Sequence, residues 1–309
     1  MRNETIVLPE DAFLPLEEGT ADAEGITRPS VTFWADVRRR LWRNRVAMLG
    51  LFIILLITAA SIVAPLLSSW SYSFQDLSII NQPPSAAHWF GTDALGRDIW
   101  VRVWMGARVS LAVGILGSVV PSLIGIVIGG VSGYFGGKID MLIMRLIDII
   151  MCIPGMIYVI LIMLYVGSGP ASIVLAFAVT GWMGTARSVR GLVLQLKERE
   201  FTLASRVLGA SHARLIFSHL VPNTLGIVVV SMTMGVPSAI FQEAYLSFIG
   251  LGIAPPTPSW GQLANAGIAV FKIFPMQLFI PAILISITML SFNLFGDGLR
   301  DALDPKLRN

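Results

Sequence analysis

The sequence predicts an all-α membrane protein with six transmembrane helices and both termini in the cytoplasm. Three observations carry this expectation. Hydrophobic residues make up 55% of the 309 and charged residues only 13%, about half the charged share of an average soluble domain. The mean hydropathy is +0.74. The apolar residues also gather into stretches of the ~20 residues that a helix needs to cross the hydrocarbon core. A chain so poor in charge cannot cover a globule with polar side chains, so lipid must solvate part of its surface.

Residues 1–30 are polar and acidic (Glu4, Glu10, Asp11, Glu17, Glu18, Asp22, Glu24) with no apolar core segment. They read as a disordered cytoplasmic tail and not as a signal peptide. Over residues 31–45, Phe33, Trp34, Val37, Leu41 and Trp42 recur at helical spacing among Arg38, Arg39, Arg40, Arg43 and Arg45. That is the pattern of an interfacial amphipathic helix, its aromatic side towards the acyl boundary.

Residues 46–67 carry no charge and form the first span; 68–108 follow as an extracytoplasmic loop. The core transmembrane region, 109–299, holds the remaining five. The second span, 110–135, is uncharged between Arg108 and Lys138. The third, 146–166, has Asp148 near one end and a kinking Pro154. The fourth, 171–193, ends in Arg187 and Arg190, and the fifth and sixth are 224–242 and 276–295. Between these two, 243–275 is apolar yet broken by Gly250, Gly252, Pro255, Pro256 and Pro258. This suits an outer-face cap or re-entrant element better than a seventh span. Residues 300–309 close the chain as a cytoplasmic C-terminus.

Orientation follows from the placement of Lys and Arg. With a cytoplasmic N-terminus, only Arg97, Arg102, Arg108 and Lys272 of the 22 basic residues fall outside. In the second span Gly125, Gly129, Gly133 and Gly137 recur every fourth residue, which lets helix backbones approach closely.

Several chemistries are excluded or unsupported. Gly137-Lys138 runs into Ile139 and lacks the upstream glycine of a phosphate-binding loop, so the chain is not expected to bind ATP by that route and any energy source must sit on a partner. The lone Cys152 permits no intrachain disulfide. His88 has no second histidine or cysteine at ligand spacing, so no metal site is expected. Ser132, in Gly130-Val131-Ser132-Gly133, superficially offers a protease nucleophile. The histidines, His88, His212 and His219, all lie outside the spans and leave it no base. No catalytic residue and no nucleic-acid partner are expected; membrane lipid is.

The inner segment 187–222 contains a stretch, 197–222, patterned as helix–Gly–helix. Phe201, Ala204 and Leu208 share one helical face, with Leu203 and Val207 beside it. Gly209 supplies a left-handed stop, Ser211 an N-cap, and Pro222 fits the start of the fifth span. Such a face is a knob for another protein's groove, or it packs on the subunit's own helix ends.

Ala204, Gly209 and Pro222, with Leu208-Gly209-Ala210-Ser211, resemble the cytoplasmic "EAA" loop of ABC importer permeases. Leu203 stands where that family usually has an acidic residue, and Ser205 where it has a second alanine. The resemblance implies that 197–222 is a coupling loop, docking on an ATPase subunit by shape and apolar contact, through Phe201, Leu203, Ala204, Ser205, Leu208, Gly209, Ala210, Ser211 and Arg214. The outer loop narrows the match. His88-Trp89-Phe90-Gly91-Thr92-Asp93-Ala94-Leu95-Gly96-Arg97-Asp98 resembles the HxxGTDxxGRD signature of peptide-importer permeases, most closely the C-type subunit of dipeptide and oligopeptide systems. The runs 243–252, 255–261 and 293–305 match the same group in the same order.

The resemblance implies a type I ABC importer permease fold in a bacterial or archaeal cytoplasmic membrane. It also implies a second homologous permease subunit, two cytoplasmic ATP-binding subunits holding ATP and Mg, and an extracytoplasmic solute-binding protein. The chain itself then binds no cofactor and moves dipeptides or oligopeptides by alternating access. Nickel complexes, glutathione and sugar oligomers are alternative cargoes within the group. An ATP-independent channel or carrier is a remoter reading, since the spans lack the charged relays such carriers use.

His88, Gly91, Thr92, Asp93, Gly96, Arg97 and Asp98 are the outer-loop candidates. Their opposite charges either pair internally or meet the partner permease or the binding protein, and internal pairing is favoured because exposed pairs give little affinity. Glu243 and Ser247 are the pore or gate candidates. Glu243 either receives a peptide amino terminus or fixes the broken segment after it.

Overall fold

The computed structural model describes residues 32–304; the tail expected over 1–30 and the final residues 305–309 lie outside them. Among the described residues the regular structure is helical, with one isolated bridge between Thr92 and Asp98. Five helical stretches are long and apolar enough to cross a membrane: Arg45–Leu67, Ile99–Phe135, Pro170–Leu196, His212–Phe248 and Met276–Leu303. A sixth arises if two helices bent by 81° are counted as one.

Helix α1 (Phe33–Arg43) carries Val37 and Leu41 on its inner side, packed on Leu299, Ala302 and Leu303 near the chain's end. Trp34 and Trp42 point outward. Asn44 ends α1 and caps α2 (Arg45–Val63), its side chain accepting from the Ala47 amide at 3.1 Å. Helix α2 exposes apolar residues on most of its circumference, as a lipid-facing span must.

The helix that carries the second span begins eleven residues before the apolar stretch read from the sequence. Helix α3 runs Ile99–Phe135, about 55 Å at 1.5 Å per residue, so it projects well beyond the hydrocarbon core. The irregular part of the segment 68–108 therefore ends at Asp98, and 99–108 are helical. Asp98 caps α3 by accepting from the Val101 amide at 2.8 Å. Arg102 and Arg108 made this stretch look like loop, but both guanidinium groups find carbonyl oxygens. Arg102 donates to Tyr72 O at 2.9 Å. Arg108 donates to Ser61 O at 2.6 Å and Ile62 O at 2.9 Å, at the C-terminal end of α2 where carbonyls lack helical partners and cations are favoured.

The third span is not a kinked helix. Helix α4 (Gly137–Met151) stops, and α5 (Gly155–Val166) restarts after Pro154 at 81°. Proline donates no hydrogen bond and pushes the residue before it out of helical conformation; here it breaks the helix outright. The fourth span is also two pieces, α6 (Pro170–Thr180) and α7 (Trp182–Leu196), meeting at Gly181. A side chain at Gly181 would press on Phe177 O and the ring of Pro121.

Helix α8 (Glu200–Val207) and the single turn α9 (His212–Arg214) form the inner segment; a π-helical stretch, Leu215–Leu220, joins α9 to α10 (Val221–Phe248). The segment 249–259 follows, then α11 (Trp260–Val270) and α12 (Met276–Leu303). At eleven residues, or about 16 Å, α11 is too short to cross, and it packs on α12 and α10.

The core is built around α3, which packs on α7, α10 and α6. Three of the four regularly spaced glycines face α7. A Cβ at Gly125 would lie 2.7 Å from Trp182 O, at Gly129 2.4 Å from Ala186 O, and at Gly133 2.8 Å from Arg190 O. The small-residue stripe thus serves packing inside the chain. Gly137 does not belong to it: with open space around it, it begins α4 at φ +53°.

Candidate functional site

The inner segment forms as its residues dictate. Helix α8 ends where Gly209 adopts φ +82°, a conformation that costs a side-chained residue. Its amide returns to Arg206 O at 3.0 Å, and the Ala210 amide to Ser205 O at 3.1 Å. Ser211 caps α9 through the Arg214 amide at 3.4 Å. One side of the segment is anchored: Thr202 Oγ1 donates to Leu196 O at 2.9 Å, and Leu215, Ile216 and Leu220 enter a buried cluster with Val189, Val193 and Tyr134, on which Ala210 packs.

The opposite side is bare. Phe201 and Leu203 are 42% and 43% exposed, and Val207 and Leu208 reach 87% and 86%. Ala204 and Arg214 lie exposed beside them, and Ser205, half-buried, donates to Phe201 O at 2.8 Å. The subunit's own helix ends leave this apolar surface uncovered.

In the outer loop the signature residues serve one another. Asp93 accepts from the amides of Leu95 (2.9 Å) and Arg97 (3.0 Å) and from Arg97 Nε (2.7 Å). Arg102 approaches the same carboxylate at 3.5 Å while donating to Tyr72 O. His88 Nδ1 lies 2.8 Å from Asp98 Oδ2, with the ring stacked on Trp70 at 4.9 Å. Thr92 takes the Gln82 amide at 2.9 Å and donates to Ile79 O. Gly91 and Gly96 turn at positive φ, and a Cβ at Gly96 would lie 1.8 Å from Asp76 O. Hydrogen bonds from the hydroxyl and amide of Ser78 hold the Asp76 carboxyl below the usual carboxylate range. His88, Asp93, Arg97 and Asp98 are all buried. The motif is the loop's internal framework.

Glu243 is fully buried in α10. It accepts from Ser110 Oγ on α3 at 2.7 Å and from Ser247 Oγ, one turn on, at 2.8 Å. Ser247 in turn takes the Ile253 amide at 3.2 Å, and Ser110 the Trp260 amide at 3.3 Å. One carboxylate therefore joins α3, α10, the broken segment and the start of α11.

Sequence reasoning missed an open cavity of about 560 Å³ bordered by α3, the α4–α5 bend, α6, α7 and α10. Ser118, Ser122, Tyr158, Thr180, Thr185, Ser188, Ser231, Ser238 and Gln242 supply its polar side chains; none of its lining residues is charged, and Glu243 and Ser247 are not among them. Ser122, Thr180, Ser188 and Ser231 donate to carbonyls of their own helices and Ser118 to Met232 O, which leaves oxygen lone pairs for a visitor. A signal for this wall was available: Ser231, Gly235, Ser238 and Gln242 repeat at helical spacing within an apolar span.

A chain of membrane-length helices with a polar, uncharged internal wall and an uncovered apolar knob at one end is built as a transport subunit, one that works against another protein. Residues 123–309 match the family model for the binding-protein-dependent transport system inner membrane component, and 32–84 that for the N-terminal TM domain of oligopeptide transport permease C. The chain belongs to the family of inner membrane components of binding-protein-dependent transport systems. It is 48% identical to the oligopeptide transport system permease protein OppC of Bacillus subtilis, covering 97% of this chain and 99% of the relative. It is likewise 48% identical to the dipeptide transport system permease protein DppC of the same organism, over 97% and 94%. The glutathione transport system permease protein GsiD of Pectobacterium atrosepticum is 40% identical over 90% and 93%. These relatives are bacterial, which favours the bacterial over the archaeal membrane.

Proposed function

We propose that this chain is the C-type pore-forming subunit of an ATP-driven importer of dipeptides or oligopeptides in the bacterial cytoplasmic membrane. The uncovered apolar end of α8, next to the Gly209 turn, carries this reading. Val207 and Leu208 are among the most exposed aliphatic side chains of the protein, although α8 is too polar to lie in lipid. A groove on a partner accounts for their exposure. That partner is one of two cytoplasmic ATPases holding ATP and Mg, which sets the coupling loop and both termini on the cytoplasmic side, as the distribution of basic residues also requires. The bent α4–α5 pair counts as one of six spans, and α1 lies at the interface.

The hydroxyl-lined cavity is this subunit's part of the route, completed by a second permease and fed by an extracytoplasmic binding protein. A wall of weak, exchangeable hydrogen-bonding groups without fixed charge admits peptide backbone without trapping any one side chain. The glutathione-transporting relative supports a second cargo of the same chemical kind, a short peptide bearing free carboxylates.

Affinity purification of the tagged chain in mild detergent tests the assembly. A second permease and ATP-binding subunits should co-purify, and the reconstituted complex should accumulate labelled tripeptide only with ATP and the binding protein. Uptake without any ATPase would overturn the reading in favour of an ATP-independent carrier.

A further inference from the structure

Tyr134 is the penultimate residue of α3, only 6% exposed, and belongs to the cluster that receives Leu215, Ile216 and Leu220. Both arms of the Gly209 turn reach it. From the α8 side, the Arg206 guanidinium sits over its ring, 5.9 Å from the centroid, within cation–π range. From the α9 side, its hydroxyl meets His212 Nδ1 at 2.6 Å, with the two rings edge-on at 5.6 Å. Phe135 adds a ring contact to His212 at 5.9 Å. No other residue of α3 is gripped from both sides of the turn by polar or ring contacts.

We infer that Tyr134 is the joint that transmits movement of the coupling turn to α3, a positioning role that rests on the docking reading proposed above. A load on the exposed Leu208 end has three ways into the membrane domain. Two are covalent: back from α8 into α7, where Thr202 is tied to Leu196 O, and forward through α9 into α10 across the π-helical stretch Leu215–Leu220, a helix form of the kind often found at functional sites. The third is the Arg206–Tyr134–His212 clasp. Both covalent routes reach α3 through the packing of α7 and α10 on it; the clasp reaches it directly, through polar and ring contacts made by the two arms of the turn itself.

Ser118 and Ser122 place α3 on the cavity wall, Ser110 ties it to Glu243, and Asp98 caps it at the outer loop. Its inner end is also held to α7 by the Gly133 contact and by Asp140, which takes Ser132 Oγ and pairs with Arg190. Tyr134 thus adds a direct grip by the turn on an α3 that is already tied to α10 and α7.

The test uses the whole importer, co-purified, reconstituted in liposomes with its binding protein, and supplied with labelled trialanine. Uptake per ATP hydrolysed is the readout, since a merely structural defect lowers both together. Tyr134→Phe, which removes one hydroxyl, should reduce this ratio at least threefold with the ATPase subunits still bound. His212→Ala should do the same, His212→Asn, which keeps an acceptor near the Nδ1 position, should restore much of it, and the double variant should be no worse than either single one. His212 lies on the surface, so its variants report even if Tyr134→Phe assembles poorly. A wild-type ratio in His212→Ala, or effects that multiply in the double variant, would overturn the joint. Leu208→Glu separates the two ideas. If it keeps full coupling, the docking reading fails and the joint with it; if it loses the ATPases while the clasp variants transport normally, only the joint fails.

Discussion

Charged residues in this chain are decided by partners far away in sequence. Glu243 was recognisable as an ionisable group beside a broken segment; that it fastens the segment depends on Ser110, 133 positions away, which no local pattern reveals. Hydrogen bonds to a charged group contribute roughly 1.5–3 kcal/mol each. Glu243→Ala strands the Ser110 and Ser247 hydroxyls and should cost about 3 kcal/mol or more, read as a lower unfolding temperature in detergent. Glu243→Gln retains a carbonyl acceptor and should lose clearly less. If the alanine variant unfolds like the wild type but transports poorly, the carboxylate serves the cargo and not the frame. Arg102 and Arg108 teach the same lesson in reverse: read as loop charges, they are helical residues whose heads reach carbonyls of other segments. Gly209, by contrast, was fully readable, because a left-handed helix stop is a local property.

Among the helices, existence was written in the hydropathy and boundaries were not. Each expected span has a helical counterpart, but α3 starts earlier because Asp98 caps it outside the apolar stretch. Pro154 was seen, yet whether it kinks or breaks a helix depends on packing that sequence does not carry. The glycine stripe was assigned to close packing, and its partner, α7, emerges only in three dimensions. This gives a sharp contrast between two glycines. Gly129→Val puts a branched side chain where a Cβ alone would lie 2.4 Å from Ala186 O. It should prise α3 from α7 at a cost above the 1–3 kcal/mol of ordinary overpacking, seen as lost folded protein on size-exclusion chromatography. Gly191→Ala, on α7 with open space around it, should be neutral or slightly stabilising. Equal yields from both would mean that the two helices do not meet along this stripe.

The molecule as a whole divides its polar groups by task. The buried charges of the outer loop and the Glu243 hub hold the frame, the apolar end of α8 is left exposed, and the hydroxyl wall stays uncharged. A wall assembled from serines and threonines on four segments leaves only a faint periodic trace in any one of them, which is why the cavity went unread. It predicts a pattern of water access that lipid-facing positions cannot reproduce. The only cysteine, Cys152, is exposed beside the α4–α5 bend, so Cys152→Ser supplies a thiol-free background. Ser238→Cys and Gln242→Cys, one turn apart on the cavity face of α10, should then react with a charged, membrane-impermeant maleimide. Ile283→Cys and Leu290→Cys, on exposed apolar positions of α12, should stay unlabelled, because a thiol in hydrocarbon neither ionises nor meets the reagent. In the assembled importer, ATP with Mg should change the labelling rate of the two cavity positions at least severalfold and leave α12 unaffected, since alternating access requires contacts that differ between two states. Labelling that is the same with and without nucleotide would make the cavity a static hollow and move the route elsewhere.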